Sequence, residues 1–297
     1  MIVLLLTSQN EAEMLAWNLR HHLEWGIDRI AVADNASTDG TQDVIRGFGD
    51  AVSSVVFDDF HTRQAVRMQM LDAIKARHAV DWVGVSDTDE FWFAPGVHMP
   101  DLLAGTPDDV VAVNFDAKLF VPTALDGIDG PVMARRHYRT TNQGPLHTSY
   151  VAGKSFYRAA WLQAIGDEHL DRSVPHERYR HDVAAVHHYM VRDEDQFVQK
   201  VTRLISWAPD ERRGLGARLA LRRRAVDPRS RELPSWSAPF KKEWWRVYQE
   251  GGDNAVRRYY RERYTLSADA VTEHVTAGDL AFDDAFADYT TTRLTQN

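Results

Sequence analysis

Trp82-Val83-Gly84-Val85-Ser86-Asp87-Thr88-Asp89-Glu90-Phe91 is the stretch on which the fold turns. Trp82 to Val85 read as a buried strand that runs straight into three carboxylates, and Phe91, Trp92 and Phe93 resume the apolar sequence at once. Upstream, Val66, Met70 and Ile74 recur at helical spacing, and Val52 to Phe57 read as a strand. A short helix through Val44 and Ile45 follows the turn-rich Asp34-Asn35-Ala36-Ser37-Thr38-Asp39-Gly40, which stops a strand over Arg29 to Ala33. Earlier still, Asn10 is read as the N-cap of a helix, Glu13 completing a capping box. Leu15, Leu19 and Leu23 form its stripe, and Gly26 ends it. Ile2 to Thr7 are a continuous apolar run, the mark of a strand buried on both faces. Strands and helices that alternate with short loops force an α/β fold with a parallel sheet and right-handed crossovers. Ligands of such sheets sit beyond the carboxyl ends of the strands. Asn10-Glu11, Asp34 to Thr41, Asp58-Asp59 and Asp87 to Glu90 all fall on that rim.

Composition narrows the class. The 297 residues are 44% hydrophobic, 26% charged and 10% aromatic, which excludes a disordered chain, a collagen-like chain and a membrane bundle. Lys and Arg number 35 against 43 Asp and Glu, a net charge of −8 that argues against nucleic acid as a partner. There is no cysteine, hence no disulfide, thiolate metal site or Cys nucleophile. Met1 to Thr7 are too short an apolar run for a signal peptide or a spanning helix, and a cytoplasmic setting is expected. Beyond about residue 110 the pattern loosens, with strands expected at Val110 to Phe115, Val132 to Arg136 and Lys154 to Arg158. From residue 206 the composition shifts again, and a helical extension is expected.

Two clusters carry candidate chemistry. Asp87 and Asp89, two residues apart just past a strand, can share a hard divalent cation; a solvated polar loop is the competing reading. At the end of the second strand, Asp34 can accept hydrogen bonds from a base or a ribose. A capped turn entering a helix, served by Ser37 and Asp39, explains the same residues.

In their order, Asn10-Glu11, Asp34-Asn35-x-Ser37-x-Asp39-Gly40-Thr41 and Trp82-Val83 leading to Asp87-Thr88-Asp89-Glu90-Phe91 resemble a family 2-type glycosyltransferase of the GT-A fold. The branch is the one whose metal motif reads Asp-x-Asp-Glu-Phe. The likeness is good over residues 1 to 95. It continues more faintly through Gly153-Lys154-Ser155-Phe156, Gly166 to His169, and His188-Tyr189 with Asp195-Gln196-Phe197 and Lys200.

The resemblance implies a Rossmann-like, mostly parallel sheet flanked by helices. Its glycosyltransferase domain would span residues 1–205, with a nucleotide-binding half over 1–110 and an acceptor half over 111–205; residues 206–297 would be the extension. It further implies a nucleotide-diphosphate-sugar donor held by Asn10, Glu11, Asp34, Asn35, Ser37, Asp39, Arg67 and Asp87. Mn²⁺ or Mg²⁺ would sit on Asp87 and Asp89 with His188 as third ligand, and the sugar would pass with inversion to a hydroxyl of a carbohydrate or other acceptor. Such an ion would neutralise the departing diphosphate, and the acceptor would need a base. Asp167, Glu168 and His169 lie where related enzymes place an acceptor-side acid or histidine; Asp116 and Asp171 are alternatives. His188 reads equally as a core histidine, and Arg63 and Arg67 as a solvated helix face.

Other readings stay open. A haloacid-dehalogenase-like phosphatase also ends a strand in Asp-x-Asp, though usually its first strand, and with Thr or Val where Phe91 stands. A catalytically silent sugar- or nucleotide-binding module on the same fold is the third. Residues 211 to 231 hold eight arginines. They read as a solvated face, a phosphate lid, or a basic helix on an anionic membrane surface. Trp236, Trp244 and Trp245 read as core or interface anchors, or as stacking platforms for a pyranose.

Overall fold

A computed structural model describes residues 1–59, 62–141, 154–162, 177–206 and 240–294. Up to residue 87 the alternation is the expected one: β1 (Ile2–Ser8), α1 (Ala12–Glu24), β2 (Arg29–Asn35), α2 (Thr41–Gly47), β3 (Val52–Phe57), α3 (Arg63–Lys75) and β4 (Trp82–Asp87). The strands lie side by side as β3-β2-β1-β4, all parallel, so their carboxyl ends form one rim. Val3 to Leu6 of β1 are wholly buried at the centre of this half. Gly26, at φ +98°, closes α1: its N–H reaches Leu23 O and that of Ile27 reaches His22 O, the paired bonds of a Schellman ending.

Past β4 the sheet turns antiparallel. β5 (Glu90–Phe93), β6 (Val110–Leu119), β8 (Lys154–Arg158) and β9 (Glu177–His188) complete an eight-stranded order β3-β2-β1-β4-β8-β6-β9-β5. Gly84 of β4 sits opposite Phe156 of β8, and a Cβ there would lie 2.5 Å from the Phe156 ring. Only glycine lets these strands close.

The chain divides into two compact units, one of Met1–Ala117, Ala152–His188 and Tyr289–Asn297, the other of Lys118–Val151 and Tyr189–Asp288. The second unit is built on α6 (Glu194–Ser206), a helix over Phe240–Tyr259, another over Ala268–Thr276, and a small antiparallel pair, β7 (Tyr138–Thr140) with β10 (Leu280–Phe282). Its core gathers Phe197, Trp244, Tyr259 and Tyr264, so Trp244 is a core anchor rather than a sugar platform. Trp236 and the arginine-rich residues 211–231 lie outside the described residues.

The strand expected over Val132 to Arg136 is instead a helical turn, α5 (Val132–Arg135). Pro131 starts it with φ −67°. Arg136 then buries its guanidinium against Asp126 Oδ2 at 2.7 Å and Arg192 O at 2.9 Å. Three apolar residues followed by two arginines are too short a window to separate the two periods. No helix among the described residues is long and apolar enough to cross a membrane.

Candidate functional site

The site is built where β4 hands over to β5. Thr88 and Asp89 turn the chain, and β5 pairs antiparallel with β9 in the register Glu90↔His188 and Phe91↔His187. Neighbouring strand residues face opposite sides of a sheet, so the two histidines part company. His187 lies edge-on to Phe93, with ring centroids 5.5 Å apart. His188 faces the turn, its Nε2 3.4 Å from Asp89 Oδ1, and both side chains are buried.

Glu90 organises the other side. Its Oε2 accepts from the Asp87 N–H at 2.9 Å and from Ser86 Oγ at 3.0 Å, and lies 2.6 Å from the Lys154 ammonium. Arg67 of α3, buried rather than on a solvated face, sends Nη2 to within 3.3 Å of both Asp87 Oδ1 and Ser86 O. Asp87 itself stays half exposed, 3.8 Å from Lys154. Desolvation pushes its carboxyl up, but Lys154 and then Arg67 overcome this and hold it below the usual carboxylate range. Burial pulls the Lys154 ammonium down, yet Glu90 and Asp87 outweigh it and keep the group charged well beyond neutral pH.

Behind the turn, α1 supplies a buried polar clamp. Asn18 Nδ2 donates to Thr88 O at 2.9 Å and to Glu90 O at 2.8 Å. His22 Nδ1 lies 2.9 Å from Asn18 O and Oδ1 and donates to them, and its Nε2 accepts from the Trp92 N–H at 3.2 Å. His21 Nε2 donates to Trp92 O at 2.7 Å. All three side chains are wholly buried. The sequence offers one hint: Asn18 and His22, three and seven residues after Leu15, fall on the face of Leu15 and Leu19, where a polar residue must find a partner.

The loop after β2 departs from expectation in two ways. The strand continues through Asp34 and Asn35, so Asp34 is wholly buried instead of lying on an open rim. Its Oδ1 accepts from the Ser37 N–H at 3.2 Å and from the Ser37 hydroxyl, and its Oδ2 accepts from Gln42 Nε2 at 2.5 Å. Asn10 is not the N-cap of α1. It takes φ +53°, accepts from the Thr38 N–H at 2.7 Å and donates its own N–H to Ser37 Oγ at 2.8 Å. Asp39 Oδ2 instead accepts from the Ala12 N–H at 3.0 Å, and Asp39 Oδ1 from the Thr41 N–H at 3.0 Å. A cap from another loop replaces the local box. Burial raises the Asp39 carboxyl, but the Thr41 hydroxyl and these backbone N–H groups more than offset it and hold it low. Asp34→Ala is therefore expected to destabilise the fold by about 2–3 kcal/mol, since buried donors lose their acceptor. Urea unfolding checks this, and a change under about 0.5 kcal/mol would contradict the buried role.

Asn10, Asp34 and Ser37 thus meet, Ser37 bonded to both, and Asp39 ties the same loop to the start of α1. Glu11 and Asn35 are buried beside them. Thr7 Oγ1, Ser8 Oγ and Asn35 Nδ2 are buried at the same strand ends with no hydrogen-bond partner among the described residues. Such orphans suit a bound polar ligand. Among the described residues no three His, Asp or Glu side chains converge to hold an ion by themselves. The Asp89–His188 pair with half-exposed Asp87 nearby fits an ion whose remaining positions are filled by a diphosphate, since carboxylate and imidazole suit Mn²⁺ or Mg²⁺. Asp167, Glu168, His169 and Asp171 lie outside the described residues.

No protein-family model matches the chain. Over 255 residues it is 24% identical to a glycosyltransferase family 92 protein of Arabidopsis thaliana, a match covering 79% of this chain and 43% of that protein. Over 246 residues it is 22% identical to a glycosyltransferase family 92 protein of Ricinus communis, covering 78% and 43%. The chain thus spans less than half the length of the curated relatives it matches. Family 92 is distinct from the family 2 that the sequence motifs resemble, within the same glycosyltransferase class. Among solved structures, mannosyl-3-phosphoglycerate synthase from Rubrobacter xylanophilus is similar at a TM-score of 0.40 and 18% identity, covering 79% of this chain and 78% of that one.

Proposed function

We propose that the chain is a metal-dependent glycosyltransferase of GT-A type that moves a sugar, with inversion, from a nucleotide-diphosphate-sugar donor to an acceptor hydroxyl. One observation carries the reading: the acidic turn at the end of β4 receives His188 from β9, 3.4 Å from Asp89. The glycosyltransferase names of the relatives support it. So do the orphaned polar atoms on the rim, where α/β sheets take nucleotides.

In this reading Asp89 and His188, with Asp87 beside them, would hold Mn²⁺ or Mg²⁺ together with the diphosphate, and the ion would supply charge neutralisation as that group departs. Thr7, Ser8 and Asn35 offer hydrogen bonds to the nucleoside. Asn10, Asp34 and Ser37 shape that subsite as a bonded frame, Asp39 anchors its loop to α1, and Glu11 lines it. Arg67 adds a fixed cation on the phosphate side. Asp167, Glu168 and His169 are the segment from which a base for the acceptor hydroxyl comes. Residues 1–205 are assigned to the transferase domain and 206–297 to the extension, the helix over Glu194–Ser206 sharing one core with the latter. The lack of cysteine accords with a cytoplasmic setting, and the arginines of 211–231 with contact to an anionic membrane surface.

Thermal unfolding with UDP, GDP, CDP and ADP, with and without Mn²⁺, tests the reading. One nucleotide should raise the midpoint, and Mn²⁺ should add to the shift only in its presence. Phosphatase turnover together with no response to any nucleotide would replace it.

A further inference from the structure

The Glu90–Lys154 pair is the part of the rim that the expected donor and metal residues leave unexplained. Glu90 is a member of the acidic turn, yet it faces inward and is nearly wholly buried. Its Oε2 is the common acceptor of Ser86 Oγ, the Asp87 N–H and the Lys154 ammonium. So placed, its Oε2 is engaged by three partners and fixes Lys154 at the edge of the site. Continuing the β4–β8 register from Gly84↔Phe156 by two residues sets Lys154 opposite Ser86. The lysine is thus delivered by a strand and held by a carboxylate at 2.6 Å.

Asp87 presents the contrast. A charge-assisted N–H···O bond is about 2.7–2.9 Å long, whereas Arg67 lies 3.3 Å and Lys154 3.8 Å from Asp87. Two cations therefore flank one half-exposed carboxylate, Arg67 through a long hydrogen bond and Lys154 at ion-pair distance only. An ammonium has three donor hydrogens, and Glu90 lies on one side of this one. A quarter to a third of the Lys154 side chain, 29%, reaches solvent beside Asp87. Fixed cations gathered at an open rim next to a candidate ion site have the chemistry of a phosphate contact, because they meet negative charge without reorganising.

We propose that Lys154, fixed by Glu90, binds the diphosphate of the donor on the Asp87 side of the site, Glu90 acting as its positioning residue. The inference rests on the transferase reading and adds to it a recognition residue with a stated ligand chemistry.

Calorimetric titration of wild-type and Lys154→Met protein with inorganic pyrophosphate, UDP, GDP, CDP and ADP tests it, in EDTA and again with Mn²⁺. The substitution should weaken pyrophosphate and the preferred nucleotide about tenfold or more in both conditions, the worth of one charge-assisted contact. Affinity for the corresponding nucleoside, which lacks phosphate, should stay within about twofold, and Lys154→Arg should restore most of the loss. Lys154→Gln keeps a hydrogen bond to Glu90 and reads the same comparison if the methionine variant does not fold. Unchanged pyrophosphate and nucleotide affinity in the variants, with wild type binding normally, overturns the role of Lys154 and leaves the transferase reading standing. Wild-type protein that binds neither pyrophosphate nor any of the nucleotides overturns both.

Discussion

Asp89→Asn is expected to lower turnover of the sugar-nucleotide donor about a thousandfold while changing unfolding stability by less than about 1 kcal/mol. The substitution keeps the size and shape of a buried side chain and one of its acceptor oxygens, so the turn and the β5–β9 register survive it. What it removes is the negative charge facing His188 Nε2 across 3.4 Å. A thousandfold is about 4 kcal/mol of transition-state stabilisation, the scale expected when an ion that neutralises a departing diphosphate loses a charged ligand. His188→Gln should fall nearly as far, and the double variant little further, because the two proposed ligands of one ion would act as a unit. Steady-state kinetics with the nucleotide sugar, set beside urea unfolding of the same proteins, separates the outcomes. A core ion pair would show the reverse pattern: stability lost, turnover kept. That pattern would retire the metal role of both residues.

Periodicity and turn chemistry carried much of the architecture. Four parallel strands, the helices between them and the position of the acidic turn follow from apolar spacing, because each element is specified within a dozen residues. What escaped depends on partners distant in sequence. Asp34 and Asn35 belong to residue types that favour turns, yet they extend β2, because Ser37 and Gln42 satisfy the Asp34 carboxylate inside the fold. Asn10 has the residue type of an N-cap but is engaged by the loop after β2, and Asp39 caps α1 in its place. His188 could be singled out through a resemblance of order, while its approach to Asp89 needed the β5–β9 register. Lys154 offered less. Its strand β8 reaches β4 through an antiparallel pairing that apolar spacing does not encode, and Glu90 meets it only past the end of β4, so its charge could not be matched to a site.

Acidification should unfold the protein through its buried histidines before its carboxylates are reached. Burial, only partly offset by the bond to Trp92 O, lowers His21 from 6.5 to about 4. His22 is lowered well below its ordinary value, first by burial and then by the neighbouring His21. The hydrogen bonds require the same state: His22 Nε2 accepts from the Trp92 N–H, and a proton there would set N–H against N–H. The sign follows from linkage. Above pH 6.5 both histidines are neutral in the folded and unfolded chains alike, and stability is at its full value. As pH falls below 6.5 the unfolded chain takes up protons that the folded one refuses, so stability drops until the folded pKa is reached. For His21 alone the loss is about 2 kcal/mol at pH 5 and about 3 kcal/mol by pH 4, and His22 adds to it in the same direction. Carboxylates held low, such as Asp87, lose their contribution only below about pH 4, which leaves the interval from 6.5 to 5 to the histidines. Urea unfolding at half-unit steps through that interval measures the slope. In a His21→Gln, His22→Gln protein the slope should flatten by more than half, whatever happens to stability at pH 7. A slope that persists in that variant would place the acid sensitivity elsewhere. Because Asn18 and His22 brace the turn that carries Asp87, Asp89 and Glu90, loosening of the clamp by acid should also weaken nucleotide binding over the same range.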